Sequence, residues 1–108
     1  MGNKQHISEM IDIFLADYPK ALQGLEKQVA AKDWLETEKA AHRLKSSFRV
    51  MGLDDLVSFS DRIEKNARNQ SNWVEILNIV ETIKSAARQP LDFFTNERKK
   101  RLSVIRNH

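Results

Sequence analysis

Residues 33–53 read Asp33-Trp34-Leu35-Glu36-Thr37-Glu38-Lys39-Ala40-Ala41-His42-Arg43-Leu44-Lys45-Ser46-Ser47-Phe48-Arg49-Val50-Met51-Gly52-Leu53. The stretch carries its own start and stop. Asp33 is an N-cap residue, and Glu36, three positions on, completes a capping-box pattern that satisfies the free N–H groups of a first helical turn. From there Trp34, Thr37, Ala41, Leu44, Phe48 and Met51 recur in steps of three and four, which puts them on one buried side of a helix. Gly52 stands where a left-handed C-terminal cap is needed, so the helix ends there.

The same period extends in both directions. Upstream, Ile7, Ile11, Phe14, Leu15, Tyr18, Leu22, Leu25 and Val29 form a helical stripe. Pro19 falls inside it and is expected to kink one long helix or divide two short ones. Downstream, Leu53, Leu56, Ser60, Ile63 and Ala67 mark a third helix, with Asp54 and Asp55 favourably placed in its first turn. Asn69-Gln70-Ser71-Asn72 breaks the pattern, and Trp73, Ile76, Val80, Ile83 and Ala87 resume it. Gln89-Pro90 is expected to end or bend the fourth helix, because the residue before proline is pushed out of the α region. Leu91 to about Ile105 reads as helical again, on Phe93, Phe94, Leu102 and Ile105, either continuing the fourth helix or folding back. Short connections between amphipathic helices make neighbours antiparallel. The expectation is an all-α, antiparallel up-down four-helix bundle with an extra terminal helix. We read residues 1–108 as one domain, with a core over about 7–88 and a helical extension with a basic tail over 89–108.

Composition agrees. A chain of 108 residues suits one domain. Three glycines and two prolines are too few for a loop-rich β-sandwich or a phosphate-cradling glycine loop. No run approaches the ~20 apolar residues that span a bilayer. The start, Met1 to His6, has no apolar stretch of secretory type and fails the myristoylation pattern at His6, so a cytoplasmic location without membrane attachment is expected. The lack of cysteine excludes a disulfide framework, thiol chemistry and cysteine-ligated metal. Net charge is +3, but Arg98, Lys99, Lys100, Arg101 and Arg106 stand against Glu97 alone in the last twelve residues. The tail accounts for the basic balance and the body is close to neutral. Nucleic-acid binders carry their positive charge on the folded face. A solvated helix end is expected here, and no nucleic acid.

Little of the sequence carries chemistry. His6, His42 and His108 share no ligand spacing, so no metal site is expected. No P-loop, Gly-x-Ser-x-Gly or HExxH occurs, and nothing resembles an autonomous enzyme. Glu38 and His42 form an acid–imidazole pair at i,i+4. At about 100° per residue, His42 lies roughly 130° from the buried direction of its helix and stands at the side of the bundle. Leu35, Glu38, Lys39, Lys45, Ser46 and Arg49 share its face.

The run Ala41-His42-Arg43-Leu44-Lys45-Ser46-Ser47-Phe48-Arg49-Val50-Met51-Gly52-Leu53 closely resembles the histidine-containing phosphotransfer (HPt) domains of bacterial two-component phosphorelays. Their signature is approximately Ala-His-x-Leu-Lys-Gly-Ser, followed by an apolar residue, Gly and another apolar residue. Ile13-Phe14-Leu15-Ala16-Asp17-Tyr18-Pro19 looks like the family's opening helix, Lys32-Asp33-Trp34 its turn before the histidine, and Asp61-Arg62-Ile63-Glu64 its third helix. The resemblance covers about residues 7–88.

It implies that His42 accepts a phosphoryl group from a receiver-domain aspartate and passes it to another receiver. Partners are then response-regulator receivers and a hybrid sensor histidine kinase, with the chain itself a monomer. The Mg²⁺ belongs to the receiver, and this chain needs no cofactor. Lys45 is expected beside His42 on the helix surface, offsetting phosphoryl charge without contributing to stability. Lys39, Ser46, Arg49 and Leu35 are expected to meet the receiver. Ser46 departs from the family's glycine and adds a hydroxymethyl group. Glu64 and Arg68 are expected to border the site from the third helix, or to form only a surface ion pair. The rival readings are a helical adaptor that sequesters a receiver without transfer and a nucleic-acid-binding helical module using the basic tail.

Overall fold

The computed structural model describes the backbone of residues 2–106 and the side chains of residues 7–102. Its described residues form five helices: α1 (Gly2–Ala30), α2 (Trp34–Val50), α3 (Asp54–Arg68), α4 (Trp73–Ala86) and α5 (Arg88–Arg106). The first four make the antiparallel bundle.

Each turn of the bundle is built by one device. Leu53 N–H reaches the Phe48 carbonyl at 3.0 Å and Gly52 N–H the Arg49 carbonyl at 3.1 Å, closing α2 with Gly52 at φ +70°. The end of α1 repeats this with Asp33 to Gln28 and Lys32 to Val29, and the end of α3 with Ser71 to Asn66 and Gln70 to Ala67. Lys32 (φ 56°) and Gln70 (φ 49°) take the left-handed position that suits glycine, at some cost in sterics. After α1 and after α3 the next helix starts on a side-chain cap, whereas Leu53 before α3 supplies none. Asp33 accepts from Glu36 N–H at 3.0 Å, and Asn72 accepts from Glu75 N–H at 3.3 Å.

The expected stripes form the core. Phe14, Tyr18 and Leu25 of α1 meet Ala41, Leu44 and Phe48 of α2, Leu56 and Ile63 of α3, and Ile76, Val80 and Ile83 of α4. Phe14, Tyr18 and Phe48 pack with ring centroids 5.7–6.2 Å apart. Trp34 and Trp73 close one end of the bundle edge to face at 4.3 Å.

Three alternatives left open by the sequence are decided, and one expectation changes. Of the two alternatives at Pro19, the single long helix is the one found: α1 runs unbroken across it, with Pro19 on its exposed side. The lost hydrogen bond and ring clash fall on one solvent-side carbonyl, and the packing of the flanking stripe holds the rest. The fourth helix breaks at Ala87, before Gln89-Pro90. Proline cannot donate to the Ala86 carbonyl and its ring collides with it, so the interruption appears upstream. α5 follows on along α1 instead of folding back: Phe94 stacks edge to face on Phe14 at 5.7 Å, and Arg101 reaches Asp12 at 3.5 Å. Ile7, Phe93 and Leu102, assigned to apolar stripes, are exposed. Ile7 and Leu102 lie toward the end of the α1/α5 pair, where two helices alone leave half of each surface to water, and Phe93, beside the Phe94 that packs on Phe14, is turned to solvent. The side chains of His6 and Ile105, and the whole of His108, lie outside the described residues.

Candidate functional site

His42 sits in mid-α2 between Ala41 and Leu44, both fully buried, so its backbone is fixed while its side chain is 60% exposed. Across the helix interface, Glu64 of α3 lies opposite. Its Oε2 is 3.1 Å from His42 Nδ1, and its side chain is only 7% exposed. Lys45 Nζ meets Glu64 Oε1 at 2.6 Å and Asp61 Oδ1 at 3.1 Å. Asp61 is tied in turn to Lys65 at 2.9 Å. Arg68 Nη2 donates to Glu64 Oε2 at 3.0 Å, and its Nε donates to Glu38 Oε2 at 2.8 Å. One buried carboxylate therefore serves an imidazole, an ammonium and a guanidinium.

The charges settle each other. Burial pushes the Glu64 carboxyl up, and the contacts with Lys45 and then His42 outweigh it, leaving the group below its ordinary value. Lys65 and then Lys45 lower Asp61 in the same way. Glu64 chiefly, with Asp61, raises the Lys45 ammonium above its ordinary value despite burial. Glu64 is thus a carboxylate, which only accepts hydrogen bonds. The hydrogen in its contact with His42 belongs to Nδ1, which in the neutral ring leaves the lone pair on Nε2. An exposed imidazole held by one nitrogen and nucleophilic at the other is what this arrangement can offer chemically.

The sequence-predicted residues divide. Glu64 and Arg68 border His42, and they do so as part of a partly buried network, in place of a plain surface pair. Glu38 is engaged by Arg68 and not by His42. Lys45 is the main correction. It is a buried residue, its side chain 11% exposed, and it spans two carboxylates of α3 instead of standing in solvent beside His42. The angle could have shown it: Lys45 lies only about 70° from the centre of the α2 stripe, and Glu64 about 60° from that of α3. Two such flanking positions on antiparallel neighbours face each other. Ser46 is exposed, but its hydroxyl donates to the carbonyl of His42 at 3.1 Å, so this donor is already engaged. Leu35 is 59% exposed, and Lys39 is exposed with a loose pairing to Glu36 at 3.6 Å. Arg49 is exposed about two turns beyond His42.

Sequence reasoning missed Asp17. From α1 it accepts from Arg43 at 2.5 Å and from Ser47 at 3.2 Å, on the opposite flank of α2. Beside it a small apolar groove of about 130 Å³ is lined by Met10, Ile13, Phe14, Ser47, Val50 and Met51. Among the described residues no group of three or more His, Asp or Glu side chains is placed to hold a metal ion, and no helix is long and apolar enough to cross a membrane.

Compared with protein-family models, the chain matches the Hpt domain over residues 9–90. No curated protein and no solved structure matches it.

Proposed function

The chain belongs to the Hpt domain family, whose members carry phosphoryl groups in two-component signalling, and on that footing we propose that His42 is the phosphoryl acceptor of this one. The reading is of a phosphocarrier: a receiver-domain aspartyl phosphate donates to His42, and a second receiver takes the group away. The observation that carries it is an exposed imidazole whose Nδ1 is held by a buried carboxylate 3.1 Å away. The Nε2 lone pair attacks phosphorus, and the phosphorus–oxygen bond to the receiver's aspartate breaks with its electrons returning to that carboxylate. The Nδ1 proton stays in place, and the positive charge left on the ring faces Glu64. A buried carboxylate opposite the second ring nitrogen fixes the tautomer and stabilises the imidazolium.

Positioning and charge supply most of the catalysis in phosphoryl transfer, so a carrier without an ATP site suffices. In this reading the chain is no autonomous enzyme. Mg²⁺ and the acidic pocket come with the receiver, and a hybrid sensor kinase stands upstream. The setting is cytoplasmic and the carrier works as a monomer. Lys45 acts through Glu64, keeping it ionised and aimed at His42. Ser46, Leu35, Lys39 and Arg49 are exposed on the face of α2 that a receiver would meet.

The test is a transfer profile of the purified chain against phosphorylated receiver domains, with the label checked for acid lability. His42→Gln should abolish uptake while leaving the helical signal and melting temperature nearly unchanged, since the side chain is exposed. Acid-labile label that persists on the Gln variant defeats the assignment. A receiver that binds tightly without exchanging label would favour the sequestering adaptor.

A further inference from the structure

Two cations flank the Glu64 carboxylate, and they differ in what they can release. Lys45 is nearly buried between Glu64 and Asp61. If it moved to follow an incoming anion, it would leave a buried carboxylate uncompensated, which is costly. Arg68 is 55% exposed and lies across the His42 face, one nitrogen on Glu64 and another on Glu38. Glu38 is one turn before His42 on α2, with its side chain 25% exposed. If Arg68 gave up Glu38, it would keep its hold on Glu64, and Glu38 would turn toward water. A phosphoryl group brings three acceptor oxygens and close to two negative charges, and the planar guanidinium fork matches it better than an ammonium does.

We propose that Arg68 is the cation that binds the phosphoryl group on His42, and that Glu38 is the competing carboxylate that sets how readily Arg68 is released to it. The proposal rests on His42 being the acceptor. Glu38 is then a positioning residue with a negative influence: it holds Arg68 in the unphosphorylated protein and must be displaced for the phosphoryl contact to form. The two residues have effects of opposite sign, coupled through one ion pair.

The experiment phosphorylates the full chain with phosphoramidate, a small donor that needs no partner protein. His42 is followed by its imidazole ¹H–¹⁵N resonances, which separate it from His6 and His108. On phosphorylation of His42, the Nε resonance of Arg68 should shift. Glu38→Gln should raise the rate of uptake at His42 about threefold, and Arg68→Gln should lower it about threefold, as expected for one exposed charge contact. In the Arg68→Gln background, Glu38→Gln should bring no gain. Arg68→Lys should recover only part of the loss, because it restores charge without the fork. A gain from Glu38→Gln that persists without Arg68 means simple repulsion and overturns the proposal, as does an Arg68 Nε that does not move. If His42 takes no phosphoryl group at all while His6 and His108 do, the acceptor assignment falls and this proposal with it. Normal uptake at His42 with no effect of either variant overturns only the role of Arg68 and Glu38.

Discussion

On the flank of α2 that faces α1, Asp17 accepts from Arg43 and Ser47; on the flank that faces α3, Glu64 meets His42, Lys45 and Arg68. Both are single carboxylates reaching across a helix interface to side chains four or three residues apart. They differ in their contact with water. The Asp17 side chain is 30% exposed and its Arg43 partner 58%, whereas Glu64 and Lys45 are 7% and 11% exposed. In the first case solvent can replace a lost partner, and the clasp adds little more than register between α1 and α2. In the second, removing Glu64 or Lys45 leaves the other charge short of a partner where water hardly reaches. If His42 is the acceptor proposed above, the difference accounts for its place on the α3 side. A carboxylate screened from water keeps one orientation and one ionisation state, which an imidazole needs if it is to present the same nitrogen every time.

The sharpest way to break this comparison is Glu64→Ala, expected to destabilise the fold by about 2 kcal/mol because Lys45 keeps only Asp61. Lys45→Ala should cost about 1 kcal/mol, since Glu64 still has Arg68 and His42. Denaturant unfolding measures both. A Lys45→Ala variant as stable as the parent would return Lys45 to the surface role that the sequence suggested.

Acid titration reads the same network with a smaller effect. Glu64 and Asp61 are lowered from ordinary values of 4.5 and 3.8, so their stabilisation is present above those values. It is lost as pH falls through the lower folded-state values. Lys45 is raised from 10.5, so its contribution is complete below that pH and is lost only above it, as pH rises through the folded-state value. As far as Glu64, Asp61 and Lys45 are concerned, thermal melting should therefore be flat between about pH 5 and 10 and decline below pH 4. Glu64→Gln should melt lower at neutral pH and decline less steeply in acid. An unchanged acid limb would mean that Glu64 is not held as a carboxylate.

The smallest effect belongs to the other flank. Asp17→Ala should cost only about 0.5 kcal/mol, in line with exposed ion pairs, and should leave uptake at His42 close to normal. A loss comparable to that of Glu64→Ala would erase the contrast between the two sides of α2.

The period of the apolar residues determined the helices and their buried sides, because a 3.6-residue repeat has one geometric solution per segment. Asp33 and Gly52 set both ends of α2 by local hydrogen bonding and backbone sterics, which depend on a few neighbouring residues and so can be read along the chain. The exposure of His42 followed from its angle alone. The long-range pairings did not follow in the same way. Glu64 with His42 joins residues 22 apart, and Arg68 with Glu38 joins residues 30 apart. A helix face offers each charged side chain several partners of nearly equal energy at i±3 and i±4, as Glu38 and His42 illustrate. Only the packing of α2 against α3 excluded water from Lys45 and Glu64 and gave that choice a large energetic consequence. Burial is a property of the interface, and it was the interface that turned a charged helix surface into a fixed imidazole with a buried carboxylate behind it.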